Sequence, residues 1–100
     1  MWRKIYFNAK NIESITEKAV LIKLPKESHL ENHLMWYPKK FISVESNDGL
    51  ILSLSFREDF IFKVFHKDWN YKKRTKKYSE ITFDELAIAF GVVELQTNNH

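Results

Sequence analysis

One hundred residues, 44% of them hydrophobic and 15% aromatic, suffice for one globular domain and are too few for two of ordinary size. The formal net charge is +3, cysteine is absent, and glycine and proline number two each, which excludes a disulfide framework, thiolate metal sites, flexible linkers and low-complexity tracts. No stretch approaches the roughly eighteen apolar residues of a membrane span, and Met1-Trp2-Arg3-Lys4-Ile5-Tyr6-Phe7 lacks the apolar core of a signal peptide; a soluble, cytoplasmic protein is expected, one domain over 1–95 with a loose tail over 96–100.

From Trp2 to Asn8 the residues are aromatic or β-branched with polar positions between them, which suits a half-buried first strand. Lys18 to Leu24 is a continuous apolar run ended by Pro25, and its branching fits a central strand covered on both faces. Lys26 to His33 reads as a polar loop or a short helical turn. His29 and His33 there flank Glu31 at a spacing that holds zinc on a helix, but no further histidine except His66 is within reach by pattern, so no metal site is expected. Trp36-Tyr37-Pro38 introduces a strand at 39–45, with Pro38 at its beginning.

Ser46-Asn47-Asp48-Gly49 separates two apolar runs with residues that tolerate positive φ, and predicts a hairpin. Leu50, Leu52, Leu54 and Phe56 then alternate with Ile51, Ser53, Ser55 and Arg57, which predicts leucines inward and hydroxyls outward. After a turn at 57–59, Phe60, Phe62 and Val64 fall on one face of a strand and Ile61, Lys63 and Phe65 on the other. Thr82-Phe83-Asp84-Glu85 is a capping box, followed by an apolar stripe of Phe83, Leu86, Ala87 and Phe90 and by Gly91 as a left-handed stop. The expected fold is α+β: a five- or six-stranded antiparallel sheet or small barrel with one short C-terminal helix at about 83–90.

The charge is not evenly spread. Seven of sixteen cations lie between Lys63 and Lys77 against one acid, Asp68; that window carries +6 and leaves −3 for the rest of the chain. Aromatic residues are interleaved with them. Lys63, Lys67, Lys72, Lys73, Arg74, Lys76 and Lys77, with Trp69 and Tyr71 and with Tyr78 just beyond, form a candidate surface for nucleic acid or another polyanion, the cations tracking phosphates and Trp69, Tyr71 or Tyr78 stacking on unpaired bases. The plain alternative is a solvated hairpin tip that discourages edge pairing. Trp36, Tyr37, Lys39 and Lys40 make a second candidate partner surface, set against the reading that Trp36 closes one end of the core.

Nothing in the chain suggests an enzyme. There is no Gly-x-Ser-x-Gly turn, and two glycines cannot build a phosphate-cradling loop. Arg57-Glu58-Asp59 is the one acidic cluster outside the helix cap, and such pairs ordinarily sit in solvent. No catalytic residue, cofactor or metal is expected.

Lys18-Ala-Val-Leu-Ile-Lys-Leu-Pro25, Trp36-Tyr-Pro-Lys-Lys-Phe-Ile42 and Glu85-Leu-Ala-Ile-Ala-Phe-Gly-Val-Val93 resemble small accessory proteins of phages, plasmids and conjugative elements of Gram-positive bacteria, over roughly residues 18 to 93. The resemblance implies a mobile-element setting, in which such proteins include anti-CRISPR inhibitors of type II character and DNA-handling proteins. The chain departs from that pattern in its denser 72–77 run and in Tyr37, where a histidine often precedes the proline. In that setting the leading expectation is a non-enzymatic inhibitor that engages a CRISPR effector nuclease, its guide RNA or their complex through the basic segment; a stand-alone single-stranded nucleic-acid binder is the alternative.

Overall fold

The computed structural model describes residues 1–25, 28–69 and 74–91, those at 67–69 and 74–76 by their backbone alone. Eight strands in these residues form two antiparallel sheets: β1 (Trp2–Asn8), β2 (Ile12–Ile15), β3 (Ala19–Lys23), β4 (His33–Pro38), β5 (Ile42–Val44), β6 (Ile51–Arg57), β7 (Phe62–Trp69) and β8 (Arg74–Ile81). One sheet has the order β1-β6-β5 and the other β2-β3-β4-β7-β8; helix α1 (Phe83–Phe90) follows. The architecture is α+β with a single short C-terminal helix, as the residue patterns require.

The strands outnumber the five or six expected because two were invisible as patterns. Ile12–Ile15 is short and half polar, and its pairing with β3 slips between Ile12 and Ser14. The predicted 39–45 strand divides: Trp36-Tyr37-Pro38 ends β4 instead of introducing the next strand, and Lys39–Phe41 forms a 3-10 turn ahead of β5. Pro38 is tolerated at a strand terminus, and the Lys39 N–H closes the ladder on the Lys18 carbonyl at 2.9 Å. Phe60 and Ile61, expected inside the following strand, precede β7 and are exposed.

The core lies between the sheets, where alternation puts Ile5 and Phe7 of β1 and Leu52, Leu54 and Phe56 of β6 against Val20, Ile22, Met35, Tyr37, Phe62 and Val64 of the larger sheet. Tyr37 spans the gap: its hydroxyl donates to the Ser55 carbonyl of β6 while its ring meets Phe41, Phe60 and Phe62. Helix α1 closes the core with Leu86, Ala87 and Ala89, and Phe83 and Phe90 touch Phe56 and Phe7 at centroid distances of 5.2 and 5.7 Å. Fully burying one side chain such as Leu86 contributes about 1.5–3 kcal/mol. The Glu85 carboxylate accepts the Thr82 N–H at 3.3 Å, and Gly91 ends the helix at φ 73°.

The hairpin between β5 and β6 forms as the sequence predicts. Asp48 accepts from the Ser46 hydroxyl at 2.6 Å and from the Leu50 N–H at 3.0 Å, which holds its carboxyl below the usual carboxylate range, and Gly49 supplies φ 77°. Ser53 shares the outward face of β6 but is 0% exposed, not solvated as expected. Its hydroxyl donates to Glu45 at 2.6 Å and Lys4 bridges to the same carboxylate oxygen at 3.1 Å, so two longer side chains roof it.

Candidate nucleic-acid interface

Strand β7 alternates two kinds of residue. Phe62 and Val64 enter the core, whereas Lys63 and Phe65 stand on the opposite, outer face of the sheet. Phe65 is nevertheless 2% exposed and Leu21 of β3 is 8%, and neither belongs to the core cluster. The outer face therefore carries an apolar layer of its own. Register explains it: Lys23, Leu34, Phe65 and Tyr78 are successive partners across β3, β4, β7 and β8, and Leu21 pairs with Trp36 two positions along. Phe65 is covered from one side by Tyr78, at a centroid distance of 5.6 Å. The outermost aromatics of the layer stay open, Trp36 at 45% and Tyr78 at 58% exposure.

Cations surround that layer. Lys23 and the exposed Lys63 share the face, the latter opposite Glu80. By register, positions Lys67, Trp69, Arg74 and Lys76 fall on the same side of the β7–β8 ladder, with Lys67 opposite Lys76 and Trp69 opposite Arg74. Lys77, exposed, belongs to the other face with His66. Tyr71, Lys72 and Lys73 lie outside the described residues.

The second predicted surface does not hold together. Tyr37 is 4% exposed, and burial pushes its hydroxyl up to about 12; it is a core residue, while Trp36 beside it in sequence faces the other way. The expectation that Trp36 closes the core is thus met by Tyr37 instead. Lys39 and Lys40 sit exposed in the 3-10 turn, with the Lys40 ammonium 5.2 Å from the Phe41 ring centroid.

His29 and His33 do not share a helix, because residues 28–32 form a turn, with Asn32 at φ 68°, and His33 opens β4. The His33 ring lies 5.3 Å from that of its register partner His66, and its Nδ1–H donates to the Glu31 carbonyl at 3.1 Å. Among the described residues no group of three His, Asp or Glu side chains is placed to hold a metal ion, and no helix is long and apolar enough to cross a membrane.

Sequence reasoning found the basic strands, with Tyr78 beside them, but missed Lys23, Leu34 and Trp36 as parts of the same face. The β4–β7 pairing that unites them joins segments some thirty residues apart, as in His33 opposite His66, and leaves no local pattern. Comparison with known proteins returns no matching family model, no matching curated protein and no matching solved structure.

Proposed function

We propose that this chain is a non-enzymatic binding protein that takes single-stranded nucleic acid on the outer face of its five-stranded sheet. The observation that carries the proposal is the register: it aligns Lys23, Leu34, Phe65 and Tyr78 in one row, sets Trp36 beside them, and puts four further cationic positions on the same side. Exposed rings take unpaired bases at roughly 1–3 kcal/mol each, and a flanking cationic groove tracks the backbone without regard to sequence. A flat sheet face suits splayed bases better than a duplex groove, which admits a helix or a two-stranded ribbon.

The mobile-element resemblance supplies a setting for this chemistry. In that setting the strand is the guide RNA of a CRISPR effector nuclease, the chain acts as an anti-CRISPR inhibitor, and its place of action is the cytoplasm. The test is fluorescence anisotropy with labelled single-stranded DNA, duplex DNA and a structured guide RNA over a salt series. Five engaged cations, Lys23, Lys63, Lys67, Arg74 and Lys76, give a log–log salt slope of roughly −3.5 for single strands. Single strands are expected to bind tighter than duplex, and Trp36→Ala to weaken them. Equal or tighter duplex binding overturns the reading. Capture of the nuclease by a protein that ignores every free strand replaces it with a protein-directed inhibitor.

A further inference from the structure

We infer that the cavity at the edge of the two sheets, where β1 crosses to β2, holds the terminal nucleotide of a strand bound on the outer face; this inference rests on the proposed function and extends it. The cavity measures about 580 Å³, within the size range of small-ligand sites. The chain makes room for it locally. Between β1 and β2 the backbone turns through a 3-10 helix at Ala9–Asn11, and the register slip between Ile12 and Ser14 bends β2 against the end of β3.

The lining has the chemistry of a nucleotide site. Its apolar wall is Phe90 and Leu24, with the Phe90 ring backed by Phe7 at 5.7 Å and only half-buried, so one ring face is available to a base. Asn8 and Asn11 also line it, and their orientations are fixed by backbone partners. Asn8 Oδ1 accepts the Lys10 N–H at 2.9 Å, which leaves its amide NH₂ as a donor; Asn11 Nδ2 donates to the Lys23 carbonyl at 2.8 Å, which leaves its Oδ1 as an acceptor. A donor and an acceptor held at set positions beside an aromatic wall can read a base edge. Lys10 brings a cation for the phosphate, the Lys23 carbonyl holds Asn11 in place, and Glu13, also in the lining, disfavours a second phosphate.

Lys23 belongs to both features, lining the cavity and ending the row Tyr78–Phe65–Leu34–Lys23. That row crosses three strand spacings, about 14 Å. Stacked nucleotides rise roughly 3.4 Å apiece, so about four of them cover the row and deliver the end of the strand to the cavity.

The experiment follows the backbone amide resonances of the full chain during titration with adenosine, guanosine, cytidine and uridine monophosphates, with inorganic phosphate at matched ionic strength, and with six-nucleotide single strands. The inference expects saturable shifts at Asn8, Lys10 and Asn11 with at least one mononucleotide and with the strands, none with inorganic phosphate, and a tenfold or greater loss of strand affinity in Lys10→Glu. Lys10 is exposed, so that variant folds. Phe90→Leu, which keeps an apolar side chain at the wall, is expected to weaken the mononucleotide. Strands that bind and quench Trp36 while residues 8–11 stay unmoved and Lys10→Glu binds normally overturn the cavity assignment and leave the proposed function intact. Absence of any strand binding overturns both.

Discussion

Removing the hydroxyl of Tyr37 tests how the two sheets are joined. In Tyr37→Phe the ring keeps its contacts with Phe41, Phe60 and Phe62, so the change isolates the bond to the Ser55 carbonyl, which ties β4 of one sheet to β6 of the other. A neutral hydrogen bond contributes about 0.5–1.5 kcal/mol net, and this one lies beneath a 4%-exposed residue, so the expected loss is about 1–1.5 kcal/mol. For a domain of this length that lowers Tm by roughly 5–10 °C in calorimetry. The same hydroxyl has an alkaline signature. Its proton is held to about 12 in the fold against 10.0 in the unfolded chain, so the folded state binds more protons in that interval and wild-type stability falls as pH rises from 10 to 12. Tyr37→Phe lacks this contribution, and the gap between the two proteins narrows over that window in urea unfolding. A variant with unchanged Tm and an alkaline limb parallel to wild type would refute the argument.

Trp36→Ala, on the outer face, is expected to lower single-strand affinity by roughly 1–3 kcal/mol in anisotropy titrations while stability moves by about 0.5 kcal/mol or less. Gly91→Ala places a Cβ at φ 73° with nothing within 4 Å of it among the described residues, so backbone strain sets its expected cost of about 1–2 kcal/mol, and Gly91→Asn is expected to recover part of it in thermal unfolding. The Ser53 hydroxyl and then the Lys4 ammonium hold the Glu45 carboxyl below its ordinary 4.5; the resulting stabilisation is complete above 4.5 and disappears as pH falls through the lower folded value, so Glu45→Gln flattens the acid limb of an unfolding-versus-pH curve. Leu86→Ala, at a fully buried site under the helix, is expected to cost about 2–5 kcal/mol in denaturant unfolding.

Much of the fold was legible because its signals are local. The polar positions within Trp2–Asn8, the alternation from Ile51 to Arg57, the Asn-Asp-Gly turn and the Thr82–Glu85 cap each act within a few residues, and each of these elements forms; Leu50, expected inward with Leu52 and Leu54, instead precedes β6 and is exposed. Trp36 and Tyr37 show where local reading stops. Both are large aromatics next to a proline, and only the parity of β4 decides that one enters the core and the other the open face. Ser53 escaped for a related reason: its face was read correctly, but the side chains that cover it come from Lys4 and Glu45, on other strands. The basic segment was recognised as a site by charge, whereas the aromatic half of the proposed face is assembled from β3, β4 and β8 and exists only once those strands are paired.

The pairing of β1 with β6 governs the order in which this chain can fold. Trp2 meets Arg57 and Asn8 meets Ile51, so β1 cannot pair with β6 until more than forty residues beyond it have been made. At roughly 5–20 residues per second that is a wait of several seconds. Throughout it Ile5 and Phe7 stay uncovered, while β3 and β4, only nine residues apart, can already zip together. Arg3, Lys4 and Lys10 bracket the waiting segment, and charges so placed discourage it from pairing with a neighbouring nascent chain. β1 thus waits longer for its partner than β3 does, and its flanking cations serve it through that wait.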